Sequence, residues 1–186
     1  MTKLPDWIRA KLERHLRSLP PVPTAHRIFR AARDYHESAV RCFELRQDGS
    51  RSHFLPMQGL VLQAFASELY LKALFVIVKE AAPPRGHELN VLFQRLDTAT
   101  QDKIAQRYHA RYGQGVLLSD LDTFARVFQH WRYVHEFSGA HEMDGTGIAH
   151  LASALYENCA ELRPDLIQPG IVHDRLVAEA QGVPIC

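Results

Sequence analysis

Apolar residues recur in this chain every three to four positions, which is the spacing of amphipathic helices. We find no stretch of alternating apolar and polar residues that would indicate a β-strand. The pattern therefore predicts an all-α protein. The predicted helices span residues 5–18, 24–47, 56–81, 88–96, 97–112, 119–137 and 148–162.

Residues with known preferences for helix ends separate these segments. Thr24 and Ser119 suit N-cap positions, and Pro56 suits the first turn of a helix. We predict three parts. They are an N-terminal amphipathic helix with a Pro-rich connector at 1–22, a helical bundle at 23–163 and a C-terminal tail at 164–186.

The helix predicted at 56–81 is almost wholly apolar and carries one polar stripe. It is hydrophobic enough for a membrane span, but Glu68 and Lys72 lie in its middle, where charged groups are costly in lipid. We therefore expect the core helix of a bundle, with no membrane association.

Glu68 and Lys72 are four residues apart, in the order that favours an ion pair along a helix. A pair of this kind among apolar neighbours is kept either as a network that fixes how helices pack or as part of a site, and the sequence leaves both open. His87 follows Arg85-Gly86 and either caps the next helix or bonds to this pair. We group Glu68, Lys72 and His87 with Tyr133 as a binding or structural polar network.

A second cluster lies at residues 131–136. Arg132 and Glu136 are one turn apart and can pair, while His135 lies near the middle of the apolar arc. His135 is either a core imidazole or, in a cleft, a base that takes a proton from a hydroxyl while Arg132 holds a phosphate. The candidate catalytic residues are Arg132, His135 and Glu136.

The composition of the chain indicates a cellular compartment and a possible ligand. The 186 residues, 46% of them apolar, fit one domain. Three cysteines without short spacing do not suit a disulfide framework, and the first twenty residues lack a secretory pattern, so we expect a cytoplasmic protein. Residues 1–51 hold eleven Lys or Arg and six Asp or Glu, which fits either an anionic partner such as RNA or a solvated surface.

Motifs for several other chemistries are missing from the sequence. It contains no GxxxxGK, GxGxxG or GxSxG motif, so P-loop hydrolysis, dinucleotide binding and α/β-hydrolase chemistry have no support. The segment 141–144 and His150 carry groups that bind metals but lack the HExxH spacing. We expect neither a metal nor another cofactor.

Two runs in the sequence and one later signature carry a resemblance to a known family. The runs are ASELYLKAL at 66–74 and GHELNVLF at 86–93, and the signature is WRYVHE at 131–136. They resemble HEPN-domain proteins of bacteria and archaea, in which an E-x-x-x-K-A-L helix precedes a G-H-D/E-L-x-x-L-F segment and one branch has WRYxxE. The resemblance spans roughly residues 26–162.

The resemblance implies an up-and-down bundle of four to five helices that forms a homodimer. It also implies an RNA-directed protein of stress, defence or toxin-antitoxin systems, possible partners being RNA and a cognate antitoxin or nucleotidyltransferase. Many members are metal-independent endoribonucleases in which four to six residues separate a catalytic Arg from a catalytic His, whereas two residues separate Arg132 from His135. The second hypothesis is a non-catalytic helical module that dimerises or regulates a protein partner.

Overall fold

A computed structural model describes residues 23–53, 55–113, 116–131 and 145–167. These parts of the chain form six α-helices, one hairpin of three-residue strands and a short 3₁₀ helix at Pro164–Leu166. The all-α class is confirmed, since the hairpin is a small addition between two helices. The helices are α1 Thr24–Cys42, α2 Pro56–Lys79, α3 Leu89–Gln94, α4 Thr98–Tyr112, α5 Leu117–Trp131 and α6 Gly145–Leu162; the strands are β1 Arg46–Asp48 and β2 Arg51–His53.

The prediction that α1 continues to Gln47 is wrong. The helix ends at Cys42, and residues 46–48 instead pair with residues 51–53 in an antiparallel hairpin. Gly49 adopts a φ of 60°, a left-handed conformation that glycine reaches without a steric penalty. An Asp-Gly dipeptide is a strong hairpin signal, and at Asp48-Gly49 the prediction gave only a turn between helices.

Two later helices begin before their predicted positions. Helix α5 starts at Leu117 instead of at a Ser119 cap, and α6 starts at Gly145 instead of Ile148. A Cβ on Gly147 would lie 2.8 Å from the Phe124 ring. Close packing against α5 therefore requires a glycine inside α6, although glycine lowers helix propensity. The other helix ends that fall within the described residues agree with the prediction within two residues, and the predicted end of α5 at Phe137 lies outside them.

Helix α2 is the centre of the bundle and contacts α1, α3, α5 and α6. Its side chains Tyr70, Leu71 and Leu74 are fully buried, as expected for a helix that is apolar on most of its surface. Among the described residues, α2 is the one helix long and apolar enough to cross a membrane, and half of its most apolar stretch is buried.

Packing continues past the predicted end of the bundle at residue 163. The 3₁₀ helix lies against α1 and α6 and buries Leu166. Asp165 Oδ2 lies 3.0 Å from His26 Nε2 of α1, and Arg163 pairs with the same carboxylate, which lowers the pKa of Asp165 to about 2. The predicted N-terminal helix at 5–18 and the tail beyond 167 lie outside the described residues.

Candidate functional site

Glu68 lies in the middle of α2 and is the one buried carboxylate in the described part of the chain. Only 3% of its side chain is exposed. Lys72, one turn later, donates from Nζ to Glu68 Oε1 at 2.7 Å and is itself 14% exposed. The two opposite charges therefore meet inside the bundle, at the (i, i+4) spacing of the sequence.

His87 supplies the second partner of the Glu68 carboxylate. Its Nδ1 lies 3.0 Å from Oε1 and 3.1 Å from Oε2, within hydrogen-bond distance of both oxygens. The His87 side chain is 67% exposed, in contrast to the carboxylate behind it. The network thus runs from a buried acid to an imidazole at the surface.

The segment between α2 and α3 carries His87 back to the middle of α2. Helix α2 ends with Glu80 in a left-handed conformation, at a φ of 50°, and Gly86 has a φ of 102°. Pro84 between them is buried, which fixes the segment against the bundle. A residue with a side chain would be strained at Gly86, because L residues rarely adopt that φ.

The hydrogen bonds define the tautomer of the His87 ring. An ionised carboxylate only accepts hydrogen bonds, so the ring proton that meets Glu68 lies on Nδ1. In the neutral ring, Nε2 then carries the lone pair. This arrangement resembles the carboxylate-imidazole pairs of enzymes that move protons, in which the acid orients the base.

The structure brings together three of the four residues grouped as a polar network, Glu68, Lys72 and His87. Tyr133, the fourth, lies outside the described residues. So do all three catalytic candidates, Arg132, His135 and Glu136; α5 is described up to Trp131. Their roles remain predictions.

One buried titratable residue, His36 of α1, has no place in the predicted site. It is 1% exposed, its Nδ1 lies 3.4 Å from the Tyr70 hydroxyl, and burial lowers its pKa to about 4. Its spacing from the buried Ala32 and Ala39 is the sequence signal that places it on the core face.

No group of three or more His, Cys, Asp or Glu side chains capable of holding a metal ion occurs among the described residues. The segment 141–144, which carries metal-binding residue types, lies outside them. The prediction that this protein needs no metal is therefore untested.

Comparisons of the chain with protein-family models, with curated proteins and with solved structures find no match.

Proposed function

We propose that this chain is a HEPN-like, RNA-directed protein that cleaves RNA without a metal and acts as a homodimer in the bacterial cytoplasm. Its biological setting would be stress, defence or a toxin-antitoxin pair, with an antitoxin or a nucleotidyltransferase as the protein partner. The fold would be the family's up-and-down bundle.

One observation carries the proposal. The two sequence runs that resemble the family, 66–74 and 86–93, lie on different elements, and the buried Glu68 carboxylate joins them through His87. The residue types shared with the family pattern, Glu and Lys in the first run and His in the second, are thus the members of one network. A chance resemblance in sequence does not require such contact.

In the proposed reaction, His135 takes the proton of a ribose 2′-hydroxyl and the 2′-oxygen attacks the adjacent phosphorus. Arg132 binds the phosphate and compensates the charge that develops on its oxygens. Glu136, one turn from Arg132, holds the guanidinium. The products are a 2′,3′-cyclic phosphate and a 5′-hydroxyl.

The test is the degradation of single-stranded RNA by the purified full chain in EDTA, with end-group analysis of the fragments. We expect cyclic phosphate ends and a loss of at least about 100-fold in rate for His135→Ala, the usual contribution of a general base. His109→Ala is the matched control, because His109 is exposed on α4 and belongs to no proposed site. Intact RNA with the wild type would contradict the function, and undiminished cleavage by His135→Ala would contradict the site.

The second candidate is a non-catalytic module that binds a protein. Leu45 and Leu55, at the open end of the hairpin, are 66% and 50% exposed, and large apolar side chains in such positions are common at interfaces. A variant with both leucines changed to serine would lose the dimer in light scattering if this surface joins two copies. An unchanged mass for that variant would contradict this use of the hairpin.

A further inference from the structure

The His87 imidazole presents one free nitrogen at the surface of the bundle. Its Nδ1 lies within 3.1 Å of both carboxylate oxygens of Glu68. Its Nε2 has no hydrogen-bond partner in the described parts of the chain, and 67% of the side chain is exposed. With the ring proton on Nδ1, the lone pair of Nε2 is therefore accessible to a molecule in solution.

Glu68, Lys72 and His87 have the arrangement of an activated nucleophile. A nucleophile of this kind lies within about 2.6 to 3.2 Å of a base, and a third group orients that base. Here His87 Nδ1 lies 3.0 Å from Glu68 Oε1, and Lys72 donates to the same oxygen at 2.7 Å. The Glu68 side chain is only 3% exposed, so its charge acts on the ring with little screening by water.

A covalent role needs only the one exposed nitrogen of this network. A metal site needs several protein ligands, and a ring at the surface with a single lone pair supplies one. A bond between Nε2 and an electrophile makes the ring positive, and the negatively charged acceptor on Nδ1 then compensates that charge. The network therefore suits the transfer of a group to Nε2.

We propose that His87 is a phosphoryl-accepting residue, whose Nε2 attacks the phosphorus of an acyl phosphate while Glu68 holds the ring in position. This role is separate from the proposed cleavage of RNA and does not depend on it. The phosphorylated ring would then pass its phosphoryl group to a second acceptor.

The atoms and electrons of the transfer balance without an added acid. The lone pair of Nε2 forms the N–P bond, and the bond from phosphorus to the acyl oxygen breaks. The electron pair of that bond leaves with the carboxylate, which is stable as an anion at neutral pH and needs no proton. Glu68 is the one titratable group bonded to His87 within the described residues, so a leaving group that needs no proton fits this site.

An acyl phosphate can also transfer its acyl group, and the exposure of His87 favours the phosphoryl group. Water reaches a side chain that is 67% exposed. An acylated imidazole reacts quickly with water, whereas the negative charge of a phosphorylated imidazole is well hydrated and repels hydroxide. A phosphoryl group therefore remains on His87 long enough to be transferred.

The test is the reaction of the purified full chain with acetyl phosphate. Peptide mass spectrometry locates each phosphoryl group and follows its rate of formation, and phosphorus-31 NMR distinguishes a group on Nε2 from one on Nδ1. His109 is the internal control, because it is exposed on α4 and has no carboxylate partner among the described residues. We expect Nε2 of His87 to be phosphorylated at least about 10-fold faster than His109, the usual effect of a carboxylate that orients an imidazole.

Three variants make the test specific. Glu68→Gln keeps the size of the side chain and removes its charge, so it should slow the phosphorylation of His87 towards the rate of His109 and leave His109 unchanged. His87→Ala should abolish the fast reaction, and His109→Ala should retain it. Thermal melting shows whether each variant is folded, and the comparison of His87 with His109 in the wild type decides the matter if Glu68→Gln fails to fold.

Several results would overturn the inference. Phosphorylation of His87 no faster than that of His109 would show an ordinary exposed imidazole. A phosphoryl group on Nδ1, or an acetyl group in its place, would contradict the assigned nitrogen or the assigned group, and an unchanged rate in folded Glu68→Gln would remove the role of Glu68. The assay contains no RNA, so its failure is distinguishable from a failure to cleave RNA.

Discussion

The two histidines His36 and His87 occupy opposite environments in the same bundle. His36 is enclosed by the core, with its ring centroid 5.9 Å from that of Tyr70, and its nearest polar partner is an uncharged hydroxyl. His87 is exposed, and its partner is the buried carboxylate of Glu68. The comparison teaches that a buried carboxylate can orient an imidazole that remains exposed to solvent, whereas burial of the imidazole itself leaves it out of reach of a ligand.

Burial alone has a simple effect on His36. Desolvation penalises the charged imidazolium and lowers the pKa of His36 from 6.5 to about 4, so the ring is neutral at pH 7. It fills space and makes one hydrogen bond. Because only 1% of His36 is exposed, its imidazole is not accessible to a ligand.

The largest expected loss of stability follows from removing Glu68, the charged partner of His87. Glu68→Ala leaves Lys72 without its carboxylate in a mostly buried position, which should lower the free energy of unfolding by about 3 to 5 kcal/mol. Urea denaturation measures this difference. The control is Glu37→Ala, which removes a pair with Arg41 at the same spacing on the exposed face of α1 and should cost less than about 0.5 kcal/mol. Equal losses in the two variants would contradict a buried ion pair.

The burial of the neutral His36 ring predicts that the free energy of unfolding depends on pH. Between pH 6.5 and about 4, the unfolded chain protonates His36 while the folded chain does not. Stability contributed by His36 is therefore complete above pH 6.5 and declines as the pH falls through this window, by up to about 3 kcal/mol. Urea denaturation across that pH range should show a steeper loss for the wild type than for His36→Phe. If the wild type and His36→Phe lost stability in parallel as the pH falls, the His36 ring would be hydrated or paired in the folded protein.

An effect of intermediate size is expected for Asp97, whose carboxylate accepts hydrogen bonds from uncharged groups. Asp97 caps α4 by accepting from the Thr100 backbone N–H at 3.0 Å and from the Thr100 hydroxyl at 3.0 Å. Asp97→Ala should cost about 1 kcal/mol, the usual value for an N-cap. The same backbone bond lowers the pKa of Asp97, so its contribution is present above pH 3.8 and is lost as the pH falls through the lowered value. Asp97→Asn, which keeps an acceptor, should retain most of the stability in thermal melting; a loss as large as that of the alanine variant would contradict the cap.

The smallest expected effect concerns His87 itself. Because its ring is largely exposed, water can replace it at the carboxylate, and His87→Ala should lower stability by less than about 1 kcal/mol. Urea denaturation of His87→Ala and Glu68→Ala under the same conditions compares the two losses of stability directly. A loss as large as that of Glu68→Ala would contradict this expectation and would show that His87 is part of the structural core.

The sequence predicted the parts of this molecule that depend on local spacing. Glu68 and Lys72 meet because they are four residues apart on one helix, and most helix ends follow from Pro, Gly and capping residues. The early start of α6 was missed, since glycine lowers helix propensity and the close approach of Phe124 to Gly147 is a contact between two helices that local spacing does not reveal. The bond between His87 and Glu68 was one of two alternatives, and the return of the chain after Glu80 decided between them.

The most direct test of the account is the protonation of the His87 ring in solution. The central claim is that the buried Glu68 carboxylate holds the Nδ1 proton and leaves Nε2 available, although a free imidazole side chain in water prefers its proton on Nε2. Nitrogen-15 NMR of the wild type with neutral imidazole rings, with His87 assigned by comparison with His87→Gln, reports which nitrogen carries the proton. The account predicts a proton on Nδ1 for His87 and on Nε2 for the exposed His109, and a proton on Nε2 of His87 would contradict it.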